Sequence, residues 1–416
     1  MKVVVYTLGC KVSQYESDLI MEQLIKQGYE VSKTLEKADI YIVNTCAVTN
    51  EAERKSRGIV AKINKLNENA RIIICGCASE NSAEQFLGKK NVSLILGTSN
   101  KNQIASILDK VGIYKQEISK EYEEFGVTYS SRARAYLKIQ EGCNNFCSYC
   151  LIPFIRGRSR SRDLDNIIKE ANELAKTCKE IVVTGINMSD YRIDGKLALD
   201  KVMLALKDVK ANIRISSLEV NIITKEFLDV LKSMPNFCPQ FHLSMQSGCD
   251  RILKLMNRHY TVKEYLDKVK LIRQYFDNAS ITTDVIVGFP TETEQDFLET
   301  LDTCKKANFF QMHIFPYSKR NGTKAEKMEQ VDGNVVKERI SRLNAINKQM
   351  HNDYLMKNIG KTSSVVTEQE EDGYITGHSS NYIKTYLPND TRLYELAKVE
   401  FTEIYKDGMK AKIVSK

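Results

Sequence analysis

The chain has 416 residues, 42% of them hydrophobic and 27% charged, with a formal net charge of +8. These values exclude a disordered chain and point to two or three domains, since one core does not grow to this length. No stretch approaches the ~20 consecutive apolar residues of a membrane span, and the apolar run after Met1 is too short for a signal peptide, so a cytoplasmic protein with no membrane contact is expected. Eleven cysteines in such a chain indicate metal or redox chemistry in place of disulfides.

Over the first ~110 residues, β-rich runs (K-V-V-V-Y-T-L-G, D-I-Y-I-V-N-T, R-I-I-I-C-G, V-S-L-I-L-G) alternate with helical patterns at 16–27, 50–66 and 100–110. This alternation predicts an α/β fold with a parallel sheet covered by helices, whose ligands bind beyond the carboxyl ends of the strands. Cys10, Cys46 and Cys77 each follow a different strand. A single cysteine there would read as a small buried hydrophobe, but three at equivalent positions make a candidate metal site. Cys75 lies within its strand and reads as packing, so the third ligand is Cys77 or, as the alternative, Cys75.

Residues 111–133 lack a clear period, carry Glu117, Glu121, Glu123 and Glu124, and read as a linker. Six strand-then-helix repeats follow. The strands are expected at 134–140, 180–187, 212–219, 240–247, 279–288 and 311–318, and the helices at 163–177, 197–207, 224–233, 261–276, 294–308 and 335–357. Six such units make an open, three-quarter version of the eight-fold barrel, with chemistry at the C-terminal ends of its strands.

The first of those ends carries E-G-C-N-N-F-C-S-Y-C, with thiols at Cys143, Cys147 and Cys150. Soft thiolates suit an iron–sulfur cluster, and three ligands on a four-iron cube leave one iron open for a reactant. The competing reading is a zinc knuckle. Zinc loops use C-x2-C pairs with a fourth Cys or His, and Cys178 and His242, the nearest later candidates, fall in core elements. From 131 to 162 the sequence has seven basic residues against one acid, Glu141, which suggests a cationic rim facing a polyanion. Other strand ends are polar: Thr184, Gly185 and Asn187; Arg214 and Glu219; His242, Ser244 and Gln246 on one face by period two; and Asp284 ahead of a Gly288-Phe289-Pro290 turn. From about Tyr354, five β-rich runs (362–369, 373–378, 381–388, 393–405 and 409–415) suggest a small oligonucleotide-binding-like barrel. Its nine basic and nine acidic residues give no net cationic field, so nucleic-acid binding there would rest on Tyr382 and Tyr386 as stacking surfaces.

The C-x3-C-x2-C loop, with Tyr149 before its last cysteine, resembles the signature of the radical S-adenosylmethionine (SAM) enzymes. The stretches T-L-G-C-K-V-S-Q-Y-E-S, N-T-C-A-V-T and C-G-C-A-S resemble the N-terminal domain of the methylthiotransferases, and G-C-K-V-x-Q-Y-E matches the branch acting on threonylcarbamoyladenosine in tRNA, with Ser13 where that branch has Asn. The resemblance covers essentially the whole chain and implies three domains: 1–128 for the auxiliary cluster, 129–353 as the radical SAM core and 354–416 as a TRAM domain. It implies two 4Fe-4S clusters, on Cys143, Cys147 and Cys150 and on Cys10, Cys46 and Cys77, together with SAM. It also implies a SAM pocket drawn from Tyr149, Thr184, Gly185, Asn187, Ser216, Ser217, Glu219, His242, Ser244, Gln246 and Asp284. The implied partners are a tRNA anticodon stem-loop, met by Arg156, Arg158, Arg160, Arg258, Tyr382 and Tyr386, and an electron donor of flavodoxin or ferredoxin type. Arg258 could instead meet the SAM carboxylate or cap a helix. The implied reaction adds a methylthio group to carbon-2 of the modified adenosine. The alternatives are the siblings acting on isopentenyladenosine or on a ribosomal-protein aspartate, and an iron–sulfur RNA-binding protein without turnover.

Overall fold

The computed structural model describes every residue except Asn100, Ser131 and Lys416. The N-terminal layers contain β1 (Lys2–Thr7), α1 (Lys11–Lys26), β2 (Glu30–Ser32), β3 (Ile40–Thr45), α2 (Asn50–Leu66), β4 (Arg71–Gly76), α3 (Cys77–Asn81), β5 (Val92–Leu96) and β6 (Gly112–Tyr114). The strands form one parallel sheet in the order β2-β1-β3-β4-β5-β6. Val4, Val43, Ile72 and Ile74 fill the core on one face, and Val3, Val5, Ile42 and Ile73 the core on the other, which is why these strands read as unbroken apolar runs. Helix α1 starts at Lys11, earlier than its apolar pattern indicates, because the extended Cys10 ends the preceding loop and its carbonyl accepts the Gln14 amide at 3.0 Å. Asn100 lies outside the described residues, and the rest of the helix expected at 100–110 contains only a 3-10 turn over Lys101–Ser106.

The central unit continues with β7 (Arg134–Glu141), α4 (Ile152–Ile155), β8 (Arg160–Ser161), α5 (Leu164–Leu174), β9 (Glu180–Gly185), β10 (Arg192–Ile193), β11 (Lys196–Leu197), α6 (Leu199–Ala205), β12 (Asn212–Ile215), β13 (Ser217–Leu218) and α7 (Lys225–Ser233). It is completed by β14 (Gln240–Leu243), α8 (Asp250–Leu255), α9 (Val262–Tyr275), β15 (Ser280–Val287), α10 (Glu294–Ala307), β16 (Gln311–Pro316) and α11 (Gly333–Met356). Two sheets, β12-β9-β7-β8 and β13-β14-β15-β16, are joined where the chain changes partner at Ser216. β12 pairs with β9, whereas β13 pairs with β14. The six expected strand positions therefore form an open parallel arc, with the third divided and the fourth ending at Leu243. Threonine capping boxes start α9 (Thr261 with Glu264) and α10 (Thr293 with Asp296).

Helix α1 serves two cores. Tyr15 and Leu19 join the core of the arc beside Ala135, Leu137 and Ile139, while Ile20 and Leu24 pack against the N-terminal sheet. The expected linker is likewise pinned: Thr128 donates its amide to Glu22 at 2.8 Å, and Glu124 accepts the Asp163 amide at 2.9 Å.

At the C-terminus, β17 (Thr362–Glu371), β18 (Tyr374–Ser379), β19 (Lys384–Leu387), β20 (Leu396–Tyr405) and β21 (Gly408–Ser415) close a barrel in the order β17-β18-β19-β21-β20. Arg214 ties it to the arc. Its guanidinium is bidentate on Glu180 at 2.8 Å and also donates to the carbonyls of Ser379 and Ser380 at 3.0 Å. No helix among the described residues is long and apolar enough to cross a membrane.

Candidate active site

The C-x3-C-x2-C loop leaves the top of β7 through Gly142 (φ +72°), where a Cβ would lie 2.0 Å from the Arg158 carbonyl oxygen. Only glycine fits that turn. The loop is anchored on all sides. Ser148 donates its amide to the Met256 carbonyl (3.0 Å) and its hydroxyl to that of Leu255 (2.7 Å), while the Asn257 amide group reaches the carbonyls of Asn145 (2.9 Å) and Phe146 (3.1 Å). Each sulfur faces an N–H donor: Asn145 N to Cys143 at 3.5 Å, Arg258 Nη1 to Cys147 at 3.5 Å, and Ile152 N to Cys150 at 3.4 Å. Asn187 Nδ2 adds a weaker contact to Cys143 at 3.8 Å. Donors aimed at sulfur favour thiolate, the form that ligates iron. Burial opposes this and pushes Cys150 up to about 12 in the metal-free protein, so metal loading must expel protons. Three free, converging thiols with donors on each sulfur fit an iron–sulfur cluster with one open iron.

Cys10, Cys46 and Cys77 follow β1, β3 and β4, three neighbouring strands of one parallel sheet. Adjacent strands lie ~4.8 Å apart, so the three sit within one cubane's reach at one sheet edge. Burial pushes Cys46 up to about 11, and the neighbouring Cys77 and Cys10 thiols push it the same way. Cys10 is exposed and has Ser13 Oγ at 3.8 Å. Cys77 accepts Arg156 Nε at 3.2 Å. Gly76 (φ +103°) turns the chain between Cys75 and Cys77, and a Cβ there would lie 2.6 Å from the Thr45 carbonyl oxygen. The result separates the two thiols: Cys77 joins the core face of Ile72 and Ile74, whereas Cys75 is fully buried on the opposite face among Val3, Val5 and Ile73. The residues present fit a second three-thiol cluster on Cys10, Cys46 and Cys77.

Two cavities open beside Cys143 and Cys150. The first, of about 360 Å³, is lined by Asn145, Asn187, Ser189, Glu219 and Arg258. Glu219 accepts from Asn145 at 3.2 Å and pairs with Arg258. The second, of about 240 Å³, is lined by Tyr149, Cys150, Gln246 and Asp284 together with Ala47 and Val48, which directly follow Cys46. Below it, Asp284 also borders a third chamber with His242 and Ser217. His242 Nε2 lies 3.2 Å from Asp284 Oδ2. Burial would raise the Asp284 carboxyl, yet the His242 hydrogen bond and charge hold it below the ordinary aspartate range.

Several sequence expectations are corrected. Thr184 and Ser216 line none of these cavities, because they are buried and hydrogen-bonded to each other at 3.2 Å. Gly185 packs against Gln140 and Met188. Ser244 contributes its carbonyl, which accepts from Arg258 at 3.2 Å and Tyr260 at 3.0 Å. Arg156 is 1% exposed and held by Glu16 (2.6 Å) and Glu141 (3.1 Å), so it offers nothing to RNA. Tyr386 is equally buried, with its hydroxyl on Asp407. Tyr382 stacks on His378 beneath Arg134 and Arg214 and faces the arc. Arg258 sits at Cys147. The cationic stretch is largely consumed by ion pairs: Arg132 with Asp18, Arg134 with Glu368, Lys138 with Glu141, and Arg162 with Glu170. Among the described residues only Arg158 and Arg160 of this stretch lack a carboxylate, and Arg158 lies exposed over the Phe146 ring at 4.2 Å. Asp18, Glu16 and Glu368 escape sequence reasoning because they stand 114 to 234 positions from Arg132, Arg156 and Arg134, whereas Glu141 and Glu170 lie close by.

An open parallel arc with a three-thiol loop after its first strand defines a radical SAM protein, and the Radical SAM superfamily profile matches residues 137–304. A second profile, Uncharacterized protein family UPF0004, matches residues 2–97. The threonylcarbamoyladenosine tRNA methylthiotransferase MtaB of Bacillus subtilis (strain 168) is 35% identical over 99% of this chain and 97% of its own length. Its counterpart in Aquifex aeolicus (strain VF5) is 38% identical over 89% and 93%. The tRNA-2-methylthio-N(6)-dimethylallyladenosine synthase of Clostridium perfringens (strain SM101 / Type A) is 36% identical over 93% and 92%. Among solved structures, the radical SAM methyltransferase TsrM from Kitasatospora setae shares the fold, with a TM-score of 0.58 at 13% identity over 78% of this chain and 77% of that one. The chain belongs to the tRNA methylthiotransferase family of radical SAM enzymes, and that membership implies SAM and one 4Fe-4S cluster.

Proposed function

We propose that this enzyme adds a methylthio group to carbon-2 of N6-threonylcarbamoyladenosine beside the anticodon of tRNA, with SAM, one cluster on Cys143, Cys147 and Cys150, and an auxiliary cluster on Cys10, Cys46 and Cys77. The observation that carries this reading is the 240 Å³ chamber whose lining includes both Cys150 and the residues that follow Cys46. A cavity that has Cys150 in its lining together with the residues next to Cys46 suits a reaction that must remove hydrogen from an aromatic carbon and deliver sulfur to the same carbon. When bound, the clusters supply the electron that cleaves the SAM sulfonium and a site for the incoming sulfur.

The chain's own residues hold and orient. Arg258 and Glu219 form a cation–anion pair beside Cys143 and Cys147, complementary to the carboxylate and ammonium of an amino acid, so this cavity receives the methionyl end of SAM. Tyr149, edge-on to Phe289 at 6.3 Å, forms part of the wall of the inner chamber. At the rim, exposed Phe154 and Arg158 meet the RNA stem-loop by stacking and phosphate contact. A small flavodoxin- or ferredoxin-type reductant supplies electrons, and the setting is cytoplasmic. Nucleoside mass spectrometry of tRNA from a deletion strain tests the assignment: the methylthio form of threonylcarbamoyladenosine disappears and returns on complementation. Loss of the methylthio dimethylallyl nucleoside alone would transfer the chain to the sibling activity.

A further inference from the structure

Beneath the inner chamber lies a cavity of about 210 Å³ inside the arc, bordered by Lys11, Gln240, His242, Thr282, Asp284 and His313, with Tyr382 of the C-terminal barrel at its edge. Asp284 lines both spaces, so a base above it has its substituent directed below. The lower space is polar on nearly every side. His242 is fixed between Thr282 Oγ1 (3.0 Å) and Asp284 Oδ2 (3.2 Å), and Gln240 Nε2 donates to Thr282 at 3.3 Å. The two guanidinium groups there are already matched, Arg214 by Glu180 and Arg134 by Glu368. Lys11 differs: among the described residues its ammonium makes no hydrogen bond and no ion pair. Lys11 is exposed at the border of this space, so its ammonium is hydrated and, without a carboxylate hydrogen-bonded to it, free to meet an anionic group entering the cavity.

We propose that this lower chamber is the pocket for the N6 substituent and that Lys11 pairs with its carboxylate, selecting an amino-acid-derived appendage over an apolar one. The proposal rests on the substrate assignment made above and deepens it. Its geometry follows from the base itself, because carbon-2 and the N6 substituent flank N1 on one edge of adenine. Lys11 directly follows Cys10 in the chain, so a base that presents carbon-2 to the Cys10 side carries its appendage toward the adjoining residue. A dimethylallyl group in this pocket would strip water from Lys11, Gln240 and His242 and return no hydrogen bond, the arrangement that discriminates most strongly between substrates.

The test compares anticodon stem-loop RNAs bearing threonylcarbamoyladenosine or its carboxylate methyl ester, with the cluster-loaded enzyme and its Lys11→Met and Lys11→Arg variants. The wild type is expected to prefer the free carboxylate by about 50-fold in kcat/KM, the scale of one charge-assisted hydrogen bond. Lys11→Met loses that preference, its turnover of the carboxylate RNA falling far more than its turnover of the ester, and Lys11→Arg retains part of it. The wild-type comparison stands even if a variant loses its clusters. Equal turnover of acid and ester by the wild type, or the same fractional loss on both substrates in Lys11→Met, overturns the role of Lys11 and leaves the substrate assignment intact. A wild type inert toward the carboxylate RNA yet active on a dimethylallyl one overturns both.

Discussion

Arg156 Nε donates to Cys77 Sγ at 3.2 Å although the two residues are 79 positions apart, Cys77 at the start of α3 and Arg156 at the end of α4. Arg156 closes the helical turn α4 that follows the C-x3-C-x2-C loop, so one guanidinium links the loop of the first thiol set to a sulfur of the second. Its other nitrogens engage Glu16 on α1 and Glu141 at the end of β7. Lys101 and Lys138 complete the same buried group.

Removing Arg156 therefore leaves two buried carboxylates, Glu16 and Glu141, with only Lys101 and Lys138 to balance them. Arg156→Ala should destabilise the folded chain by about 3–5 kcal/mol, as expected when one member of a buried ion pair is deleted, and should lower iron content at the N-terminal thiols. Adding Glu16→Gln to Arg156→Met should recover part of the loss in a denaturation cycle. Strictly additive effects would show that the network does not act as a unit.

The two thiol sets should separate by function. Alanine at Cys143, Cys147 or Cys150 should abolish 5′-deoxyadenosine formation from SAM. Alanine at Cys10, Cys46 or Cys77 should preserve SAM cleavage and abolish the methylthio product. Cys75→Ala should keep both activities and cost only ~1–3 kcal/mol of packing. An active Cys77→Ala beside an inactive Cys75→Ala would reverse the ligand assignment.

Glu219→Gln and Arg258→Lys should raise the KM for SAM by roughly 10- to 100-fold, the scale of one or two charge-assisted hydrogen bonds, while RNA affinity, read by filter binding, stays within about twofold. A change confined to RNA affinity would return Arg258 to the nucleic-acid surface.

The docking of the C-terminal barrel should be acid-labile. Burial works to raise the Glu180 carboxyl, but the Arg214 guanidinium outweighs it and holds Glu180 below its ordinary 4.5. Glu368 is held down in the same way, against burial, by His378 and Arg134. Both groups bind fewer protons when folded than when unfolded, so their stabilisation is complete above about pH 4.5 and declines as the pH falls further. Limited proteolysis near Gly360 should accelerate in that window, and Arg214→Met should show the acceleration already at neutral pH.

The repeating units were legible because strand and helix periods are local properties. All six strand positions of the arc and all five strands of the small barrel fall close to where their apolar patterns place them, and the three cysteine-bearing strand ends of the N-terminal sheet are neighbours, as the alternation implies. What escaped depends on distant partners. The start of α1 at Lys11 carries no apolar period. The partner change at Ser216 arises from closing one sheet against another. The apparent cationic rim loses most of its charge to ion pairs, and three of the acids, Glu16, Asp18 and Glu368, lie 114 to 234 positions from the arginines they meet. Tyr386 and Arg156 looked like surface ligands for the same reason, since burial is a property of the assembled chain.

The two-sided helix α1 bears on how this enzyme can be taken apart. Because Tyr15 and Leu19 complete one interior while Ile20 and Leu24 complete another, neither half owns a finished inside. The N-terminal sheet and the arc should melt in one concerted transition, and a cut anywhere in 111–133 would leave both fragments with an open seam instead of two transplantable modules.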